Sequence, residues 1–134
     1  GGTNISDIKK KCPGNKLMLA CSPTGAKTLS LLAWADTADV FFDTMGNNVT
    51  HVANGAGWYF NGDWSWGFAP SGDPIELQLL GCDTQDSSFQ GGKDGDLRMC
   101  SFVFFDQIQS GWRCGKSDNL DFKFGFDRVI YWAN

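Results

Sequence analysis

Glutamate and histidine are scarce in this sequence, and each shortage narrows the possible folds and activities. Of the 15 acidic residues, 14 are aspartate and only Glu76 is glutamate, whereas the chain has 17 glycines. Glutamate favours helices, while aspartate, asparagine and glycine favour turns, so this composition predicts short strands joined by many turns. His51 is the only histidine, which excludes a multi-histidine zinc site and leaves one imidazole for catalysis.

An excess of positive charge and long apolar runs are also missing. The formal net charge is −4, so the chain lacks the basic surface that binds nucleic-acid phosphates, and we expect no nucleic-acid partner. The apolar runs, such as 102–105, have the length of a strand, well short of the roughly 18 residues of a membrane span. We expect one domain over residues 1–134, since about 100–200 residues suit a single core.

The cysteines indicate an oxidising compartment. The sequence has five, with no CxxC pair: Cys12, Cys21, Cys82, Cys100 and Cys114. This pattern predicts disulfides and a secreted, extracellular protein, and the first residues lack the features of a signal peptide, as expected of a mature domain. Tripeptides beginning at Asn4 and Asn48 fit the N-glycosylation pattern and favour a secreted glycoprotein.

The spacing of the cysteines leaves their connectivity open. Because the number is odd, at least one thiol remains unpaired within the chain, either buried or joining two chains as a homodimer. The one bond we predict is Cys82–Cys100, since it would close the polar segment 83–99 and stabilise the fold by about 3 kcal/mol in the chain-entropy model.

Apolar segments of strand length recur along the chain, with turn residues between them. Two sets alternate with polar residues: Ile75, Leu77 and Leu79, and Phe122, Phe124 and Phe126. A period of two predicts strands with one face in the core, and Trp34 and Trp132, each inside an apolar run, are predicted to be core. About nine or ten such segments predict an antiparallel β-sandwich, or a sandwich-like barrel, stapled by one or two disulfides.

The segment 57–68 predicts an aromatic β-hairpin. Asn-Gly at positions 61 and 62 is a strong hairpin signal, because both central residues of a type I′ turn need positive φ. A two-residue loop there would pair Tyr59 with Trp64 and Gly57 with Trp66, and directly paired residues share a face. One face would then carry three rings, with Gly57 leaving a slot beside Trp66. Trp58 and Phe60 would lie on the opposite face.

An aromatic surface of this kind suits a sugar, which has an apolar ring face and a rim of hydroxyls. The predicted ligand site combines a platform of Tyr59, Trp64 and Trp66 with polar partners Asn61, Asp63 and Asn54. The predicted function is therefore lectin-like binding of a glycan or glycoprotein. The simpler interpretation of any single tryptophan is that it fills the core.

Two other classes of function stay open. The first is a structural or adhesive extracellular protein that self-associates through exposed aromatic residues and the leftover cysteine. The second is a small secreted hydrolase. No nucleophile elbow is present, and 14 aspartates make a close carboxylate pair too common to be specific, so we expect no enzyme.

The only cofactor that the sequence suggests is Ca²⁺, in the loop 83–96. Asp83, Asp86, Asp94 and Asp96 offer carboxylate oxygens, which calcium prefers. Their spacing matches no EF-hand, and a solvated acidic loop is the simpler interpretation.

Overall fold

The turn-rich sequence folds into short strands, as its composition predicts. The computed structural model describes residues 3–11, 14–78, 97–109, 111–120 and 125–134. The elements in these ranges are β1 (Thr3–Asn4), α1 (Ile5–Lys11), β2 (Lys16–Pro23), β3 (Leu31–Asp36), α2 (Thr37–Val40), β4 (His51–Ala53), β5 (Ala56–Asn61), β6 (Ser65–Pro70), β7 (Met99–Phe104), β8 (Gln107–Ile108), β9 (Trp112–Cys114), β10 (Ser117–Leu120) and β11 (Phe126–Ala133). Neither helix is long and apolar enough to cross a membrane.

The strands form two antiparallel sheets of unequal size. The small sheet has the order β11-β2-β3, and β2 pairs with β11 over its whole length. The large sheet has the order β1-β8-β7-β6-β5-β4, with β9 beside β7 and β10 beside β9. The two sheets bury their facing side chains in one hydrophobic cluster. The predicted antiparallel sandwich is therefore confirmed.

Aromatic side chains of the large sheet fill the space between the layers. Trp58 pairs with Phe68, and Phe60 pairs with Trp66, so all four rings share the inner face of the sheet. They are buried together with Leu17 and other residues of the small sheet. Full burial of one such side chain contributes about 1.5–3 kcal/mol, so this layer of rings contributes strongly to the stability of the core.

Strand β3 directs two small side chains inward, which makes room for those rings. In β3, Ala33 and Ala35 pack into the core, whereas Trp34 between them lies on the outer face. The prediction that Trp34 and Trp132 are core is wrong, because their side chains are 45% and 48% exposed. Trp132 is the penultimate residue of β11 and lies at the end of the sheet, beyond the closely packed centre.

A disulfide joins the two sheets. Cys21 of β2 is bonded to Cys114 of β9, across 93 residues of sequence. Cys100 of β7 is also disulfide-bonded. The partner predicted for it, Cys82, lies outside the described residues, as does Cys12, so the bond between Cys82 and Cys100 stays a prediction.

A segment without regular strand structure, residues 71–78, covers the outer face of the large sheet. Ile75 and Leu77 are buried there against Tyr59, while Glu76 and Gln78 are exposed. The predicted alternation of burial is therefore confirmed for these four residues, although they form no extended strand. Leu79, Phe122, Lys123 and Phe124 lie outside the described residues.

The half-buried cation Arg128 lies between the layers. The Arg128 guanidinium is 5.0 Å from the ring centroid of Trp112 and donates to Ser101 Oγ at 3.0 Å. Removal from water disfavours the charged form, and this burial lowers the pKa of Arg128 to about 10. The side chain therefore remains charged at neutral pH.

Candidate functional site

The hairpin of β5 and β6 forms, but its register differs from the predicted one. Asn61 pairs with Ser65 and Phe60 pairs with Trp66, so three residues, 62–64, form the loop. The predicted pairing of Tyr59 with Trp64 is therefore wrong. The register has moved by an odd number of residues, which transfers every side chain of β6 to the opposite face of the hairpin.

Hydrogen bonds at the loop explain the longer turn. The Asn61 side-chain oxygen accepts the N–H of Asp63 at 2.9 Å, and its carbonyl accepts the N–H of Trp64 at 3.2 Å. Asparagine commonly bonds the backbone two residues further on in this way. From the neighbouring turn, the N–H of Asp106 donates to the Gly62 carbonyl at 2.8 Å. The loop is thus held in place by the side chain of Asn61 and by Asp106, in the turn between β7 and β8.

The two-residue Asn-Gly turn occurs instead between β4 and β5. Asn54 and Gly55 have φ of 49° and 79°, and Ala53 pairs with Ala56 directly beside them. Positive φ at both central residues is the property of a type I′ turn that made Asn-Gly a hairpin signal. The sequence therefore contains a two-residue Asn-Gly turn, as predicted, but this turn lies at the earlier of the two Asn-Gly pairs.

The new register separates the predicted platform. Tyr59 and Trp66 lie on opposite faces of the hairpin and both are fully buried. Trp66 stacks on Phe41 at 4.8 Å between centroids and donates its indole N–H to the Val40 carbonyl at 3.1 Å. Trp64 is half-buried beside the Tyr59 cluster. A sugar could reach neither Tyr59 nor Trp66 without opening the core.

The polar residues predicted to surround the platform are also dispersed. Asp63 is exposed and Asn61 half-buried at one end of the hairpin, whereas Asn54 is exposed at the other end. The slot expected at Gly57 is occupied, since a Cβ built on Gly57 would lie 2.7 Å from Thr50 Oγ1. These residues therefore do not assemble into one open surface.

An open aromatic surface exists on the outer face of the small sheet. Met18 of β2 pairs with Trp34 on one side and with Tyr131 on the other. Directly paired residues share a face, so the three side chains form a row across the sheet, which we call the aromatic row. Trp34 and Tyr131 are 45% and 59% exposed.

A groove of about 260 Å³ opens along the aromatic row, and Trp132 and Lys16 line it as well. Lys16 Nζ lies 5.7 Å from the Trp34 ring centroid and 3.3 Å from Asp36 Oδ1. The groove thus combines aromatic faces with the Lys16 cation, and the carboxylate of Asp36 lies beside that cation. Such a composition suits ligands with both apolar and polar groups.

Sequence reasoning misses the aromatic row because it assigns Trp34 to the core. The signal was nevertheless present in β3, where leucine or tryptophan alternates with alanine at positions 32–35. Such a strand has a large face and a small face, and either can point inward. The large residues point outward here because the rings of β5 and β6 already fill the core.

The only histidine has a structural bonding pattern. His51 Nε2 lies 2.7 Å from Asp39 Oδ1, and the imidazole stacks on Phe42 with 4.0 Å between centroids. These contacts tie the turn after α2 to β4, which is an edge strand of the large sheet. A structural role accounts for all of them.

Among the described residues, no cluster of three or more histidine, cysteine or acidic side chains is placed to hold a metal ion. The calcium site predicted from Asp83, Asp86, Asp94 and Asp96 lies outside those ranges. Calcium binding in the loop 83–96 therefore stays a prediction.

Comparison with known proteins adds no assignment. No protein-family model matches the chain, and neither a curated protein nor a solved structure is similar to it. The function must be inferred from the site itself.

Proposed function

We propose that the protein is a lectin-like module that binds a linear glycan along the aromatic row of the small sheet. The observation that carries the proposal is the exposure of Trp34 and Tyr131 on one face, on either side of Met18. Large exposed aromatic side chains on one surface are uncommon without a binding role. Flat rings of this kind pack against the apolar face of a sugar.

The spacing of the two rings suits a chain of sugars rather than a single one. Trp34 and Tyr131 lie two strands apart in the small sheet, and neighbouring strands are about 4.8 Å apart, so their backbones are separated by about 10 Å. That distance is close to the length of two linked pyranose rings. The aromatic row is therefore long enough to lie along a linear ligand.

The charges near the groove favour a neutral glycan. Lys16 is already paired with Asp36, and the whole chain carries a net charge of −4. An excess of negative charge repels sulfated or uronic-acid polysaccharides. The Lys16 ammonium and the Asp36 carboxylate can instead donate to and accept from hydroxyl groups.

Secretion and glycosylation belong to the same proposal. Disulfides are typical of extracellular proteins, and Cys21–Cys114 is such a bond. Of the two glycosylation tripeptides, the one at Asn48 begins with an exposed side chain, so we expect that position to carry a glycan in a eukaryotic secretory pathway.

Self-association is a second candidate, and the arrangement of the aromatic row favours it. A twofold axis through Met18 would place Trp34 of one copy against Tyr131 of the other, because the two rings flank Met18 on either side. A face that matches itself in this way is what a symmetric dimer requires. A cysteine without an intrachain partner would add a covalent link.

A screen on immobilised glycans, with and without a calcium chelator, tests the proposal. We expect binding that Trp34→Ala and Tyr131→Ala each weaken about threefold to tenfold, since each removes a stacking contact of about 1 kcal/mol. The matched control is Phe104→Ala, which truncates another half-exposed aromatic residue, on the large sheet.

Thermal unfolding of the same samples verifies that each variant is folded. Binding that is equally strong in the two variants and in the control would contradict the proposal. A dimer that dissociates when Trp34 is replaced, together with no glycan binding, would favour self-association instead.

A further inference from the structure

Trp34 lies between two hollows, the groove of the aromatic row and a second one. Beyond the groove of the aromatic row, a second hollow of about 290 Å³ lies where β3 meets the turn at Asn54, and we call it the edge hollow. Its lining includes Leu32 and Trp34 of β3, Asn54, Pro70 and Leu97. Trp34 is common to both hollows, so a ligand on the outer face of the small sheet can continue over its edge.

Backbone groups of β3 are available along this edge. The Trp34 carbonyl accepts the Asn54 side-chain N–H at 2.7 Å, so the carbonyl points away from β2. Residues two apart in a strand direct their backbone groups to the same side. Among the described strands only β2 pairs with β3, which leaves the N–H of Trp34 and both backbone groups of Leu32 directed toward the edge.

This pattern of polar groups suits a sugar better than a peptide strand. An added β-strand needs an uninterrupted row of donors and acceptors. The Asn54 side chain occupies the central carbonyl of that row, so a peptide would have to displace it. Separated donors and acceptors above an apolar floor instead match the hydroxyls and the ring face of a pyranose.

We infer that the edge hollow is a second subsite, which binds further rings of the same linear glycan on the other side of Trp34. This inference rests on the proposed function and extends it. The ligand is then an internal stretch of about four sugar rings, and Trp34 lies between the two halves of the site. A protein that recognised only a terminal sugar would need just one of the two hollows, and not both.

Titration calorimetry with oligosaccharides of graded length tests the second subsite. The probes are β-1,4-linked glucose and N-acetylglucosamine oligosaccharides of one to six rings. We expect affinity to rise up to about four rings and then to level off. The gain from two rings to four should be about tenfold, as expected for one or two added hydrogen bonds and a buried ring face.

Two variants target the edge hollow and leave the side chains of the aromatic row unchanged. Leu97→Arg fills the hollow with a larger side chain. Asn54→Gly removes the amide but keeps the positive φ of the turn, which glycine adopts readily. Met45→Arg is the control, because it introduces the same charge at an exposed residue in a turn beside Trp64, at the opposite end of the β5–β6 hairpin.

Both edge variants should bind two-ring probes like the unmodified protein and should lose the gain from longer probes, while Met45→Arg keeps it. Equal affinity for two and four rings in the unmodified protein would overturn the second subsite and leave the proposed function in place. A length-dependent gain that survives both edge variants would do the same. If no probe of either series binds at any length, the proposed function fails and the second subsite fails with it.

Discussion

The outer faces of the two sheets both carry a tyrosine, yet one is buried and the other exposed. On the large sheet, Tyr59 lies beneath Ile75 and Leu77 of the covering segment and is fully buried. On the small sheet, Tyr131 lies beside Met18 and is 59% exposed. The difference is made by the covering chain and not by the residue type, so an aromatic residue in a strand does not by itself identify a binding face.

Connectivity explains which sheet is covered. The chain leaves β6 and immediately returns across the large sheet as residues 71–78. The small sheet consists of β2, β3 and the last strand, β11, and in the described ranges no segment crosses its outer face. Its aromatic row is therefore the surface that a ligand or a second copy can reach.

The largest effect is expected from truncating a tryptophan of the core, in contrast to one on the open face of the small sheet. Trp66→Ala should lower the free energy of unfolding by about 3–5 kcal/mol, because Trp66 is fully buried and its removal leaves a cavity. Trp34→Ala should cost about 1 kcal/mol or less, as is usual for surface residues. Denaturant unfolding of the two variants measures both values, and similar losses would mean that Trp34 is core after all.

A leucine pair tests the covering segment in the same way. Leu77→Ala should cost about 2–5 kcal/mol, since Leu77 belongs to the segment that covers Tyr59 and is buried against it. Leu32→Ala, on the open face, should cost under about 1 kcal/mol. If Leu77→Ala is as mild as Leu32→Ala, residues 71–78 do not seal the large sheet.

The smallest effect concerns the Asn54-Gly55 turn at the start of β5. Asn54→Ala should cost about 1–2 kcal/mol, because alanine is strained at the positive φ of Asn54. Asn54→Gly should be nearly neutral. Thermal unfolding of both variants measures the difference. Equal decreases in Tm would mean that the turn is stabilised by the Asn54 side chain and that the backbone conformation has no effect.

Composition and alternation predict the class of fold but not the details that place the site. Abundant turn residues indicate short antiparallel strands, and the alternation at 75–78 correctly predicts which side chains are buried. Register is different, because Asn61 pairs with Ser65 through a turn that depends on a hydrogen bond between Asp106 and Gly62. These two residues are forty-four positions apart in the chain. The residues around the turn do not indicate such a contact between distant parts of the chain.

The candidate site was missed for a related reason. The alternation in β3 defines two faces of different size, but which face points inward depends on how much volume the rings of β5 and β6 leave. The Cys21–Cys114 bond depends on the same packing, since it joins the two sheets across the core. Both are properties of the assembled layers, and neither can be derived from the spacing of residues along one strand.

Oxidation of the tryptophans by N-bromosuccinimide, mapped by mass spectrometry with and without the tightest-binding glycan, tests the account most directly. In the free protein Trp34 and Trp132 should react first, while Trp58, Trp66 and Trp112 stay protected in the core. Saturation with the glycan should protect Trp34. Reaction of Trp66 in the folded protein, or undiminished reaction of Trp34 at saturation, would contradict the assignment of the small sheet as the binding face.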